Sequence, residues 1–282
     1  MVDHIDSDQP PLIPEKFGLR FREHLISLEV TYETTEHPVP RIAVISGFAL
    51  AHHGFLFWVT ANHCLAELQK LHRSKKAHVG QVRWCDRFSN AAAQAIPTSI
   101  PEVLKYAIGR EGPDVGVVVP RQNVQDLVAA NENVVPLTLN QQVRDGFEHV
   151  GYCLVGLPHE ALGAEVGESG DNWVTSWNGK IACITSHLEI PHDSTELPSP
   201  GQPDYMYGRI HLKGLIHDIS GMSGGPVFAI GQRGSDWQYR LVGVQSAWFK
   251  NHQITCVAKI GHVEQMADRL CEHIQVGPQE DA

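Results

Sequence analysis

The stretch DISGMSGGPVF, residues 218–228, decides how this chain is read. Ser223 stands among Gly221, Gly224 and Gly225, and Pro226 follows where no helix interior would accept it. Two accounts fit this local pattern. Either the glycines make a tight turn between strands, or they free the backbone N–H groups beside a nucleophile to face a ligand. The partners that such a nucleophile needs must then be present elsewhere in the chain.

A hydroxyl attacks poorly until a base takes its proton, and the base needs an acid to fix its tautomer and stabilise its cation. WVTANHC (58–64) ends an apolar strand pattern with His63, and GPDVGVVV (112–119) sets Asp114 at the mouth of another. The three residue types therefore fall at strand ends or turns, in the order His, Asp, Ser. Their separation along the chain puts His63 and Asp114 in one half and Ser223 in the other, to meet at a cleft between them.

The remaining pattern is mostly β. SLEVTYE (27–33), PRIAVISGFAL (40–50) and GFLFWVTA (54–61) alternate or run apolar, and His52-His53-Gly54 joins the last two as a hairpin turn. Strands are further expected at 77–84, 114–119, 149–156, 173–186, 207–216, 225–230, 239–248 and 253–259. HCLAELQKLHR (63–73) has leucines at helical spacing, and GHVEQMADRLCEHI (261–274) carries Val263, Met266, Ala267, Leu270 and Ile274 on one face. The expected fold is all-β: two tandem six-stranded antiparallel β-barrels, an active site in the cleft between them, and a C-terminal α-helix. The expected division is a flexible extension over 1–24, a first barrel over 25–135 with His63 and Asp114, a second over 136–260 with Ser223, and the helix and tail over 261–282. EIPHDSTELPSPGQPD (189–204) reads as an exposed loop, and the loops at 86–110 and 160–180 are candidates for control by a regulatory protein partner.

Taken in order, TANHC, GPDVGVVV and GMSGGPVF resemble the signatures of the trypsin/chymotrypsin-like serine proteases of the PA clan. The resemblance implies that His63 is the general base, Asp114 its orienting acid and Ser223 the nucleophile. It implies an oxyanion hole from the N–H groups of Gly221 and Ser223. A fourth segment, LVGVQSAWF (241–249), is similar to the strand in which a serine, here Ser246, supports the acid. Ala247 and Trp248 would then offer backbone to an extended protein or peptide substrate. By position His217 and Asp218 line the base of the primary pocket, where an acidic floor would favour Lys or Arg.

Departures from the family pattern narrow the resemblance. Phe48 and Ile219 occupy positions where secreted members carry bridging cysteines, and Met222 stands where zymogens carry an Asp. The likeness is to disulfide-free, bacterial-type, single-domain members. The six cysteines, at 64, 85, 153, 183, 256 and 271, show no tight spacing, so no disulfide framework is expected.

Composition excludes other classes. With 42% hydrophobic and 19% charged residues the 282-residue chain has ample core for a globular protein. A net charge of −10 argues against a phosphate-tracking nucleic-acid binder. No apolar run approaches the roughly 18–20 residues that span a bilayer, so no membrane partner is expected. MVDHIDSDQPPLIPEKFG has acids and prolines where a signal peptide has a basic end and an apolar stretch, which predicts a cytoplasmic protein. Seventeen histidines include no HExxH pair, and no CxxC occurs, so no metal or cofactor is expected. GMSGG also fits the nucleophile elbow of α/β-hydrolases, but that fold wants a helix after the serine and its histidine later in the chain. The stronger alternative is a catalytically silent or partner-activated binding module on a protease fold.

Overall fold

A computed structural model describes residues 20–86, 95–110, 112–130, 134–139, 148–159, 162–169, 172–179, 182–186, 204–210, 212 and 218–276. Its first half runs β1 (Ser27–Thr34), β2 (His37–Ile45), β3 (Phe48–His52), β4 (Phe55–Thr60), helix α1 (Asn62–Arg73), β5 (Ala77–Cys85) and β6 (Ala95–Thr98). It continues with helix α2 (Ile100–Lys105), β7 (Ala107–Arg110), β8 (Val115–Val118), helix α3 (Gln122–Ala130) and β9 (Leu137–Thr138). The second half comprises β10 (Glu148–Gly156), β11 (Leu162–Ser169), β12 (Asn172–Gly179), β13 (Ala182–Ser186) and β14 (Tyr205–Arg209). It ends with β15 (Pro226–Arg233), β16 (Asp236–Phe249), β17 (Ile254–Lys259) and helix α4 (Ile260–Val276).

The first half forms two sheets, β2-β1-β5-β6 and β7-β8-β4-β3-β9. The second forms the sheet β13-β10-β15-β16-β17-β14, with β11 and β12 as a separate hairpin. Apart from the parallel β3–β9 contact, the paired strands run antiparallel. The fold is mostly β with a terminal helix, in sheets that do not close into complete barrels among the described residues.

Strands β4 and β8 read as continuous apolar runs because both of their faces are buried. Phe57, Val59, Val115 and Val117 point into a core shared by the two halves, where they meet Cys153, Val155, Phe228 and Ile230. Trp58 and Val118 point the other way, into a core proper to the first half. There Trp58 meets Trp84 edge-on, with ring centroids 4.8 Å apart. Helix α4 lays Val263, Met266, Ala267 and Leu270 into the shared core. The strand that ends just before His63 and the one that begins after Asp114 are thus held on both sides.

Several expected boundaries move. Residues 20–24 do not belong to a flexible extension: Phe21 is fully buried and stacks on Phe228, with centroids 4.5 Å apart. β9 pairs with β3, so strands of the first half reach past residue 135 to Thr138. The segment 86–110 is no simple loop, since it contains β6, α2 and β7, and β11–β12 occupies most of 160–180. The strand expected at 173–186 is two strands, β12 and β13. Helices α2 and α3 had no periodic signal long enough to predict them. The loop expected over 189–204 falls, apart from Asp204, outside the described residues, as does the tail after 276.

Among the described residues no disulfide forms, and Cys64, Cys85, Cys153, Cys256 and Cys271 are thiols within the packed interior. Phe48 and Ile219 fill their positions as fully buried apolar side chains. Dithiothreitol is therefore expected to leave the thermal midpoint unchanged, and a fall of several degrees would reveal a bridge. No described helix is long and apolar enough to cross a membrane.

Candidate active site

Helix α1 starts directly from the end of β4, and Ala61 at its N-cap offers no side-chain acceptor. Asp114 supplies one from another strand. Its Oδ1 accepts the backbone N–H of His63 at 2.9 Å, and its Oδ2 lies 2.9 Å from His63 Nδ1. A carboxylate only accepts, so Nδ1 carries the proton and Nε2 is left as the base in the neutral ring. One carboxylate therefore caps a helix and fixes an imidazole tautomer. The hydrogen bond with Asp114 foremost, then the Cys64 contact, push the His63 pKa up to about 10 against partial burial.

Asp114 holds a left-handed backbone, φ 44°, unusual for a residue with a side chain. Its carbonyl accepts the N–H of Asn62 at 3.3 Å and the hydroxyl of Ser246 at 3.4 Å. Ser246, buried in β16, thus contacts the backbone oxygen of Asp114. Tyr205 of β14 donates its hydroxyl to the carbonyl of Gly112 in the same turn. The strained residue is held by bonds from both halves of the chain.

The Ser223 turn sits across from this pair. Gly221 and Gly224 adopt φ +95° and +92°, which side chains rarely tolerate. The N–H groups of Met222, Gly224 and Gly225 are bound to the carbonyls of Ile219, Gln245 and Met222. Ser220 N–H is bound to Asp218 Oδ1. The N–H groups of Gly221 and Ser223 are left without a partner among the described residues. A trans peptide points its C=O and N–H in opposite directions. His159 N–H holds the Ser220 carbonyl at 2.7 Å and Gly225 N–H holds that of Met222 at 2.9 Å. Each uncommitted N–H is thereby turned away from a carbonyl already engaged.

Gly224 also lies directly against the backbone and side chains of the first half. A Cβ there would lie 2.2 Å from Ser46 O and 2.2 Å from Thr60 Oγ1. Gly224→Ala combines this overlap with the left-handed penalty, and is expected to cost about 2–5 kcal/mol of stability. The urea midpoint measures it; a midpoint equal to wild type would show that the turn relaxes freely.

The Ser223 hydroxyl donates to Ser246 O at 3.5 Å and makes no hydrogen bond to His63. Beside His63 Nε2, at 3.6 Å, lies Cys64 Sγ, which also approaches Ser223 O at 3.9 Å. Cys64 follows the histidine in sequence and reads simply as a small buried residue; its position at the base comes from the first turn of α1. Ser46 is a second residue without a sequence signal. Its hydroxyl donates to Gly221 O at 2.9 Å and accepts from Leu157 N–H at 3.2 Å.

Of the expected substrate contacts, Ala247 and Trp248 lie on β16 where β17 pairs along one edge and the β15 pairing has ended at Val244. Trp248 keeps a buried indole N–H without a partner among the described residues. Asp218 is already engaged. Its carboxylate takes Ser220 N–H and hydroxyl at 2.9 and 2.7 Å and pairs with Lys250 at 2.8 Å. Partial burial opposes its charge, but the bonds from Lys250 and Ser220 outweigh it and hold the carboxyl at about 2. His217 lies outside the described residues.

No protein-family profile matches the chain, and no curated protein matches it. Among solved structures it is similar to the Rv3671c protease of M. tuberculosis in its active form, with 13% identity, 93% of this chain and 87% of that one covered, and a TM-score of 0.44. It is similar to the protease Anisep of Arthrobacter nicotinovorans, with 16% identity, coverage of 89% and 96%, and a TM-score of 0.48. A third is the thermostable serine protease AL20 of an extremophilic microorganism, with 12% identity, coverage of 88% and 96%, and a TM-score of 0.45.

Proposed function

We propose that this chain is a trypsin-like serine endopeptidase acting through His63, Asp114 and Ser223 in the cleft of a double-barrel fold. The observation that carries the reading is the pair of uncommitted N–H groups, on Gly221 and Ser223, in a turn that lies against the His63–Asp114 pair. A staggered rotation about the Ser223 Cα–Cβ bond exchanges its Ser246 contact for His63. Ser223 Oγ then bonds to the scissile carbonyl carbon as its proton passes to Nε2. The carbonyl oxygen, now an anion, takes the two N–H groups, an interaction worth about 2.7–4 kcal/mol per donor. Collapse breaks the C–N bond, His63 returns the proton to the leaving amine, and water releases the acyl group by the same route. The open edge of β16 at Ser246–Trp248 takes the peptide as an added strand. With Asp218 neutralised by Lys250, a preference for Lys or Arg does not enter the proposal.

The resting contact of Ser223 with Ser246 O favours one second reading, a silent or partner-activated binding module. Labelling with a fluorophosphonate, followed by intact mass and peptide mapping, separates the two. A single adduct on Ser223 is expected. Folded protein that takes no label would move the binding module to the front.

A further inference from the structure

We propose that His52, His53 and Asp268 bind one divalent transition-metal ion, with Zn2+ the best match, where the β3–β4 hairpin meets helix α4. His52 Nε2 lies 2.6 Å and His53 Nε2 3.4 Å from the same oxygen, Asp268 Oδ1. All three candidate ligand atoms fall within 4.8 Å of one another. Two imidazoles and one carboxylate suit Zn2+ and its neighbours, and are a poor set for Mg2+ or Ca2+.

The backbone explains how consecutive histidines come to share a target. Successive strand side chains point to opposite faces. His53 and Gly54 form the turn with φ 48° and 81°, the pair of positive values of a type I′ hairpin. That left-handed step swings His53 onto the side of His52, with ring centroids 4.0 Å apart. Asn or Gly would make this turn with less strain, so the turn by itself gives no reason for histidine.

The geometry leaves room for the chemistry. Metal bonds of 2.0–2.1 Å set tetrahedral ligands about 3.3 Å apart. The 2.6 and 3.4 Å separations bracket that spacing, so the ion would replace the shared proton after small side-chain movements. The His52 side chain is 6% exposed and gives a fixed ligand, while His53, at 62%, leaves an entry path and a fourth position for water. No sequence pattern marks the site, because Asp268 is distant in the chain and the histidines lack helical spacing.

Helix α4 packs against β4, β8, β16 and β17. An ion joining it to the hairpin would brace these strands from their far end, about 20 Å from His63 along β4. Its effect is on stability, by mass action on the folded state.

The test uses the full chain, stripped with a chelator, dialysed, and titrated calorimetrically with ZnCl2. One saturable site per chain is expected, with a thermal midpoint that rises with Zn2+. His53→Ala and Asp268→Asn should each weaken binding at least tenfold and abolish the rise, while His72→Ala, an exposed histidine on α1, binds as wild type. His53 is exposed, so its alanine variant keeps the fold, which circular dichroism verifies. Absence of a saturable site, or a His53→Ala isotherm that superimposes on wild type, overturns the proposal. Neither readout depends on peptidase activity.

Discussion

Ser223→Ala is expected to lower peptide or ester turnover about a millionfold, the scale of losing a triad nucleophile. Removing Oγ deletes the atom proposed to form the acyl bond, while the turn that presents it stays in place. That turn is held by backbone bonds, Gly224 N–H to Gln245 O at 2.8 Å and Gln245 N–H to Gly225 O at 2.9 Å. The hydroxyl itself makes a single long bond at 3.5 Å, so its loss costs little stability. Denaturant midpoints within about 0.5 kcal/mol of wild type should accompany the lost turnover. Turnover within tenfold of wild type would take Ser223 out of the chemistry.

Asp114→Asn should lower kcat about ten-thousandfold. The amide can hold Nδ1 in the wrong tautomer, which places the proton on Nε2 where the base must be free. A second signature appears in the pH profile. His63 acts only when neutral, and its pKa is raised to about 10, chiefly by Asp114. The wild-type rate should therefore climb with pH along a limb well above the ordinary imidazole value of about 6.5. In the variant the main cause of the raised pKa is gone, and the limb moves to lower pH. An unmoved limb would show that Asp114 does not govern the imidazole.

The same pair fixes the sign of a stability effect. The His63 pKa is higher folded than unfolded, so the pair stabilises fully below about 6.5 and loses that contribution as pH rises through about 10. The stability gap between wild type and Asp114→Asn should narrow across that window. Half-exposure of the His63 ring keeps the effect modest.

Much of the candidate site was legible because its residues sit where local patterns change. His63 ends an apolar strand, Asp114 precedes another, and Ser223 lies among glycines whose positive φ values the structure records at Gly221 and Gly224. Such changes of pattern are properties of short stretches. The pairing of Asp218 with Lys250 was not legible for the complementary reason: it joins residues far apart in sequence, and nothing local signals it. Phe21 was placed in the extension expected over residues 1–24, yet it stacks on Phe228, a partner some two hundred residues away that no local pattern reveals.

The sequence by itself determined the alternation and apolar runs of the strands, the two amphipathic helices α1 and α4, and the glycine turn around Ser223. These follow from side-chain period and backbone freedom, which act within a few residues. Only the tertiary structure decided that Asp114 caps α1 while bonding His63, that the N–H groups of Gly221 and Ser223 stay uncommitted, and that His53 turns beside His52 toward Asp268. Those relations depend on distances between strands brought together by a shared core, and burial of apolar surface is non-directional. It draws the halves together, while close packing and hydrogen-bond geometry settle which polar groups meet.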